Sequence, residues 1–146
     1  MANRKLKVLY DHQIFSVHKY GGISNGFAKL VENFGQLRYG ISALIDVKFS
    51  NNHHLDSVFP NKCTKIPDFK GSNRLKLLLN RYLKNKDYSN YDILHPTFYY
   101  PADYPDGCDI PIVTTVHDMI PELYPDLFPE GNPHLAKKKY CMNSDL

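Results

Sequence analysis

Four places in the 146-residue sequence gather groups able to move a proton or hold an anion: Asp11-His12-Gln13, Tyr20-Gly21-Gly22, His95, and His117-Asp118. Histidine changes charge near neutral pH and serves as acid or base at a reacting centre. The glycines offer something different. With no Cβ to keep a ligand away, and just ahead of an apolar-periodic segment, Gly21 and Gly22 would bare backbone N–H groups at the positive end of a helix, where a phosphate or carboxylate binds. The plainer reading of the pair is a loop that needs positive φ. His53, His54 and His134 share no such neighbourhood and read as structural. A metal held by His12, His95 and His117 has no support from ligand spacing such as H-E-x-x-H. The glycine pair matches neither G-x-G-x-x-G nor a Walker loop, so neither a metal nor a cofactor is expected.

What positions these residues is the order of strands and helices. Leu6 to Tyr10 reads as a short buried strand bounded by Asp11 and His12. Ile23, Phe27, Leu30, Val31, Phe34 and Leu37 recur at three- and four-residue intervals, an amphipathic helix that Gly40 ends. Alternation over Ile41 to Phe49 predicts a second strand. Residues 50–61 carry no periodicity, and Thr64 to Pro67 read as a short strand. Leu75, Leu78, Leu79, Tyr82 and Leu83 give a second helical stripe, capped by Ser72 or Asn73. Tyr91 to Pro96 is a third strand that Pro96 must end, since proline has no ladder donor. Pro111 to Asp118, rich in β-branched residues, is a fourth. Asn132 and Pro133 start a final helix reaching about Met142.

Strands alternating with helices predict an α/β, Rossmann-like domain: a parallel sheet with right-handed crossovers and helices on both faces. In such a sheet whatever follows each strand lies along one rim. Asp11 to Gln13, His95, and His117 with Asp118 are therefore expected to converge with the glycine pair on the crevice outside the strands' carboxyl ends, where ligands of open α/β sheets bind.

Length and composition set the outer limits. The chain has room for one domain, and 42% hydrophobic with 23% charged residues is ordinary for a soluble globular protein. A net charge of +3 is too mild for a dedicated nucleic-acid binder. Cys63, Cys108 and Cys141 are scattered and odd in number, which predicts neither a disulfide framework nor a zinc knuckle and suits a reducing cytoplasm. No apolar run is long enough for a signal peptide's core or a membrane span. The charge is segregated: residues 62–86 hold eight basic residues and one acid, Asp68, whereas residues 99–130 hold seven acids and no Lys or Arg. The basic segment is open to two readings, an ordinary solvated helix face or a contact with the inner face of an anionic membrane.

Taken together, "VLYDHQIFSVHKYGGIS", "DILHPTFYY" and "PIVTTVHDMIPELYPDLFP", in that order and at these separations, resemble the amino-terminal domain of the family-four glycosyltransferases, retaining enzymes of the GT-B fold that use nucleotide sugars. The resemblance spans about residues 6–146. It implies an enzyme of two Rossmann-like domains facing each other across a cleft, this one receiving a glycan or lipid-linked acceptor, as in polysaccharide or cell-surface glycan synthesis. The carboxyl-terminal domain, which holds the nucleotide-sugar donor, is not in this sequence, so residues 1–146 are expected to be one truncated domain, inactive alone. The resemblance assigns Gly21 and Gly22 to the loop approaching the donor diphosphate, His117 to the position facing the transferred sugar, and Asp118 to the same motif; His12, Gln13, Tyr20 and His95 join them as candidate donor or acceptor contacts. Relatives often place arginine after the serine of "GGIS", where this chain has Asn25. Two other readings stay open at this level: a sugar-nucleotide epimerase of the same fold, and a non-catalytic module that completes a partner's cleft.

Overall fold

A computed structural model describes residues 4–36, 40–84, 87–100 and 109–128; the expected last helix, Asn132 to about Met142, lies outside the described residues. The five residues of β1 (Leu6–Tyr10) form the middle of a three-stranded sheet of order β2-β1-β3. Both neighbours run parallel to β1. β2 (Ile41–Ile45) pairs from Leu6↔Ile41 to Tyr10↔Ile45, and β3 (Ile93–His95) from Val8↔Ile93 to Tyr10↔His95. This is the Rossmann-like α/β arrangement, with β1 in the central position that its apolar run demands.

The order of elements is β1, α1 (Gln13–Val17), α2 (Gly22–Gln36), β2, α3 (His53–Val58), α4 (Ser72–Leu83), β3, α5 (Ile120–Leu123) and a 3-10 turn at Pro125–Leu127. Alternation along the strands sends Val8, Tyr10 and Ile45 to one face, where Phe27, Ala28 and Val31 of α2 cover them and Ile14, Phe15 and Leu55 complete the core. Leu9 and Leu94 point the other way and are also buried; they border a small cavity with Lys84 and Tyr88 from the chain leaving α4.

α1 and α3 were not expected from periodicity, because five or six residues are too few to show a stripe. α3 does carry a local signal: Asn52 Oδ1 accepts from Leu55 N at 2.9 Å, an N-cap, and Asp56 stands in the first turn.

Expectations at four elements need correction. β2 stops at Ile45 instead of running to Phe49, because the amide side chain of Asn80 takes over the backbone of residues 48 and 49, accepting from both N–H groups at 2.9 Å. The strand expected at Thr64 to Pro67 is a single parallel bridge, Phe49↔Thr64. The fourth strand likewise reduces to one bridge, Leu94↔Ile112. Further along, the Tyr99 hydroxyl accepts from His117 N at 2.7 Å and donates to Thr115 O at 3.1 Å, so a phenol occupies the place of the next ladder rungs.

α4 departs furthest from its expectation. Neither Ser72 nor Asn73 caps it: Gly71, in the left-handed region at φ 98°, is the N-cap residue, and Asn73 instead donates to Val17 O at 2.9 Å. The helix buries Ser72, Lys76 and Asn80 and leaves Leu75, Leu78 and Tyr82 exposed. Its polar side packs inward on α1, where Asn80 donates to Ser16 Oγ at 2.8 Å and Asn73 to Val17 O, contacts that leucines could not make.

Candidate functional site

The carboxyl-terminal rim of the sheet is tied together by Asp11. Its Oδ1 accepts from Thr97 N at 2.8 Å, Thr97 Oγ1 at 2.7 Å and Gln13 N at 3.2 Å, linking the chain just past β1 to the chain just past β3. His12 and Gln13 belong to this framework. His12 is buried with Nδ1 3.1 Å from Ser16 Oγ, inside the tight turn that starts α1. Gln13 is buried and braces Tyr100, accepting from its N–H at 2.8 Å and donating to its carbonyl at 3.5 Å.

Beside that framework lies a groove of about 390 Å³. Gly22, Gly26, Phe27 and Leu30 of α2 form one side, and His95, Thr115 and His117 face them. Gly22 and Gly26 stand one turn apart, and a Cβ added at either would meet nothing within 4 Å. Gly21 needs to be glycine for its own reason: its φ of +154° strains any L side chain. The first helical hydrogen bond of α2 runs from Asn25 N to Gly21 O at 3.0 Å, so the N–H groups of residues 22–24 precede it and form the positive end of the helix.

His95 ends β3 with Nε2 2.8 Å from Thr115 Oγ1 and its ring 5.0 Å from that of Tyr10. Burial, and then the neighbouring charge of His117, push its pKa below the ordinary histidine value. The folded state thus favours neutral His95. Its contribution is complete above the unfolded pKa near 6.5 and is lost as the pH falls from there through the lower folded pKa. Thermal melts between pH 7.5 and pH 5 are expected to show Tm falling with acid, and a His95→Asn variant to show a shallower fall; equal slopes would remove this role.

The His117 Nε2 lies 3.3 Å from the Thr97 carbonyl, an acceptor only, so Nε2 carries the proton and Nδ1 is the accepting nitrogen of the neutral ring. Phe27 meets that ring edge-on at 5.8 Å, and Tyr99 packs beside it at 5.6 Å. The result is an imidazole fixed by aromatic neighbours at the edge of the groove.

Of the residues singled out in the sequence, Gly22, His95 and His117 meet at this groove, with Gly21 at its helix start. His12, Gln13, Tyr20 and Asp118 do not line it. Tyr20 is exposed and stacks on His53, ring centroids 4.2 Å apart. Asp118 is exposed, and its Oδ1 accepts from Ile120 N at 3.3 Å at the start of α5. Gly26, Phe27, Leu30 and Thr115 were missed as groove residues. The four-residue spacing of Gly22 and Gly26 and the two-residue spacing of Thr115 and His117 were available signals; nothing in the sequence pointed to Tyr99.

Among the described residues no Lys, Arg, Asp or Glu lines the groove, so an anion there would rest on the helix N–H groups while a neutral, hydroxyl-bearing ring would fit against Phe27 and the histidines. Among the described residues no group of three His, Cys, Asp or Glu is placed to hold a metal ion, and no helix is long and apolar enough to cross a membrane. No protein-family model, curated protein or solved structure matches the chain.

Proposed function

We propose that the groove is one wall of the cleft of a nucleotide-sugar-dependent glycosyltransferase, with this chain as its amino-terminal, acceptor-side domain in a GT-B arrangement. The observation that carries the reading is the meeting of Gly22, His95 and His117 around one groove at a helix start. Breaking the bond between a sugar and a diphosphate builds negative charge on the leaving oxygens. N–H donors fixed at the start of α2 stabilise that charge without reorganising. His117, its ring oriented by the Thr97 carbonyl, stands at the groove edge facing the sugar, and Phe27 supplies an apolar surface for the ring. The acceptor, a glycan or a lipid-linked sugar, enters from this domain's side, while a second domain holds the nucleotide.

The test is product analysis with the full-length protein that carries this chain, given a panel of nucleotide sugars and glycan acceptors. Sugar transferred to an acceptor with release of nucleoside diphosphate is the expected result. Epimerised nucleotide sugar formed without acceptor overturns the reading in favour of an epimerase, and robust transfer by residues 1–146 alone overturns the division of labour. A Gly22→Val variant is expected to fold, since its side chain meets open space, yet to raise the KM for the donor about tenfold by filling the approach to the N–H groups. An unchanged donor KM would exclude the anion role.

A further inference from the structure

We propose that α4 and the turn before it form a docking surface for an anionic lipid bilayer. α4 turns Leu75, Leu78 and Tyr82 outward, at 38%, 48% and 80% exposure, while its buried side is polar. At helical spacing these three residues fall within an arc of roughly 60°, with Arg74 and Arg81 along one edge of it. Phe69, just ahead of the helix, is exposed as well. Between Phe69 and Lys84 there are five basic residues and no acid. Of the basic residues, Lys70 and Arg74 are exposed and make no ion pair among the described residues.

An apolar stripe edged by cations requires an occupant that is apolar inside and anionic at its border. The boundary between headgroups and acyl chains meets both demands: Leu75 and Leu78 sink below the phosphates, Tyr82 stays at their level, and Lys70 and Arg74 pair with them. A second copy of the chain, docking the same face, would oppose cations with cations. The inference stands apart from the sugar-transfer reading, because binding is measured without turnover.

Cosedimentation of the chain with vesicles tests it. Binding is expected to vesicles of phosphatidylcholine mixed with phosphatidylglycerol, to be absent with phosphatidylcholine alone, and to be lost at high salt. Leu78→Asp and Tyr82→Asp, both at exposed positions, are expected to keep the native circular dichroism spectrum and to bind at least about tenfold more weakly; Arg74→Gln is expected to bind about fivefold more weakly. Equal binding to neutral vesicles, or wild-type binding by Leu78→Asp, overturns the proposal. So does a dimer seen by analytical ultracentrifugation that Leu78→Asp dissolves without any vesicle binding in the wild type, since a second copy would then be the occupant.

Discussion

An Asn80→Leu variant is expected to lose about 3 kcal/mol of stability and to melt roughly 10 °C lower, although leucine nearly matches asparagine in volume and suits a helix better. Asn80 is 2% exposed and all its polar capacity is in use. Oδ1 accepts from Lys48 N and Phe49 N at 2.9 Å, and Nδ2 donates to Ser16 Oγ and Phe49 O at 2.8 Å. Leucine would leave those partly buried backbone groups without their protein partners, at about 1–3 kcal/mol for each one that water cannot reach. The matching control lies on the opposite side of α4. Leu75→Asn is expected to cost no more than about 0.5–1 kcal/mol, mainly in helix propensity, because Leu75 is 38% exposed. Urea or thermal unfolding of the two variants decides the orientation of the helix. A stable Asn80→Leu beside a strongly destabilised Leu75→Asn would mean that the leucines, and not the asparagine, face inward.

That pair of variants also marks where the sequence was readable and where it was not. The leucine period identifies α4 as a helix correctly, but a period says which residues share a face and not which face is buried. What decides the burial is a set of hydrogen bonds from Asn80 and Asn73 to segments about 30 and 56 positions away, and such partners leave no local pattern. β1 was legible for the opposite reason, since five residues ending in a fully apolar stretch have few places other than the middle of a sheet. The run from Pro111 to Asp118 is similar to α4 in its outcome. Its β-branched residues predict a strand, but only the Leu94↔Ile112 bridge forms, and the Tyr99 phenol, 16 to 18 positions earlier, takes the hydrogen bonds that a ladder would have used.

The site divides along the same line. Placing segments that follow parallel strands on one rim brings Gly22, His95 and His117 to a common groove, because that rule depends on chain direction alone. It fails to separate rim residues that face the groove from those that brace it. His12 comes two residues after β1, yet the short α1 draws it inward against Ser16, and Gln13 is taken up by Tyr100. A turn of five residues carries too little periodicity to have announced this.

If the chain serves sugar transfer as proposed, a His117→Ala variant of the active protein is expected to lower kcat about 10²- to 10³-fold while shifting Tm by no more than a few degrees. The asymmetry follows from how the residue is held. Its backbone N–H, which donates to the Tyr99 hydroxyl at 2.7 Å, survives the substitution, while the longer 3.3 Å bond from Nε2 to the Thr97 carbonyl is lost. The ring occupies the groove edge and is only half-buried, so its removal leaves an opening to solvent and not a sealed cavity, and the stability cost stays well below that of a core truncation. What disappears is the one imidazole whose accepting nitrogen the Thr97 contact sets. A His117→Gln variant sharpens the reading: its amide can still donate to Thr97, so it is expected to keep the wild-type Tm, yet it lacks the imidazole ring and is expected to recover turnover only in part. Steady-state kinetics beside melting curves separate the outcomes. Wild-type kcat in His117→Ala together with a large fall in Tm would make the ring a clamp between the Thr97 and Tyr99 segments, and the group facing the sugar would then have to be sought at His95, across the groove from Gly22.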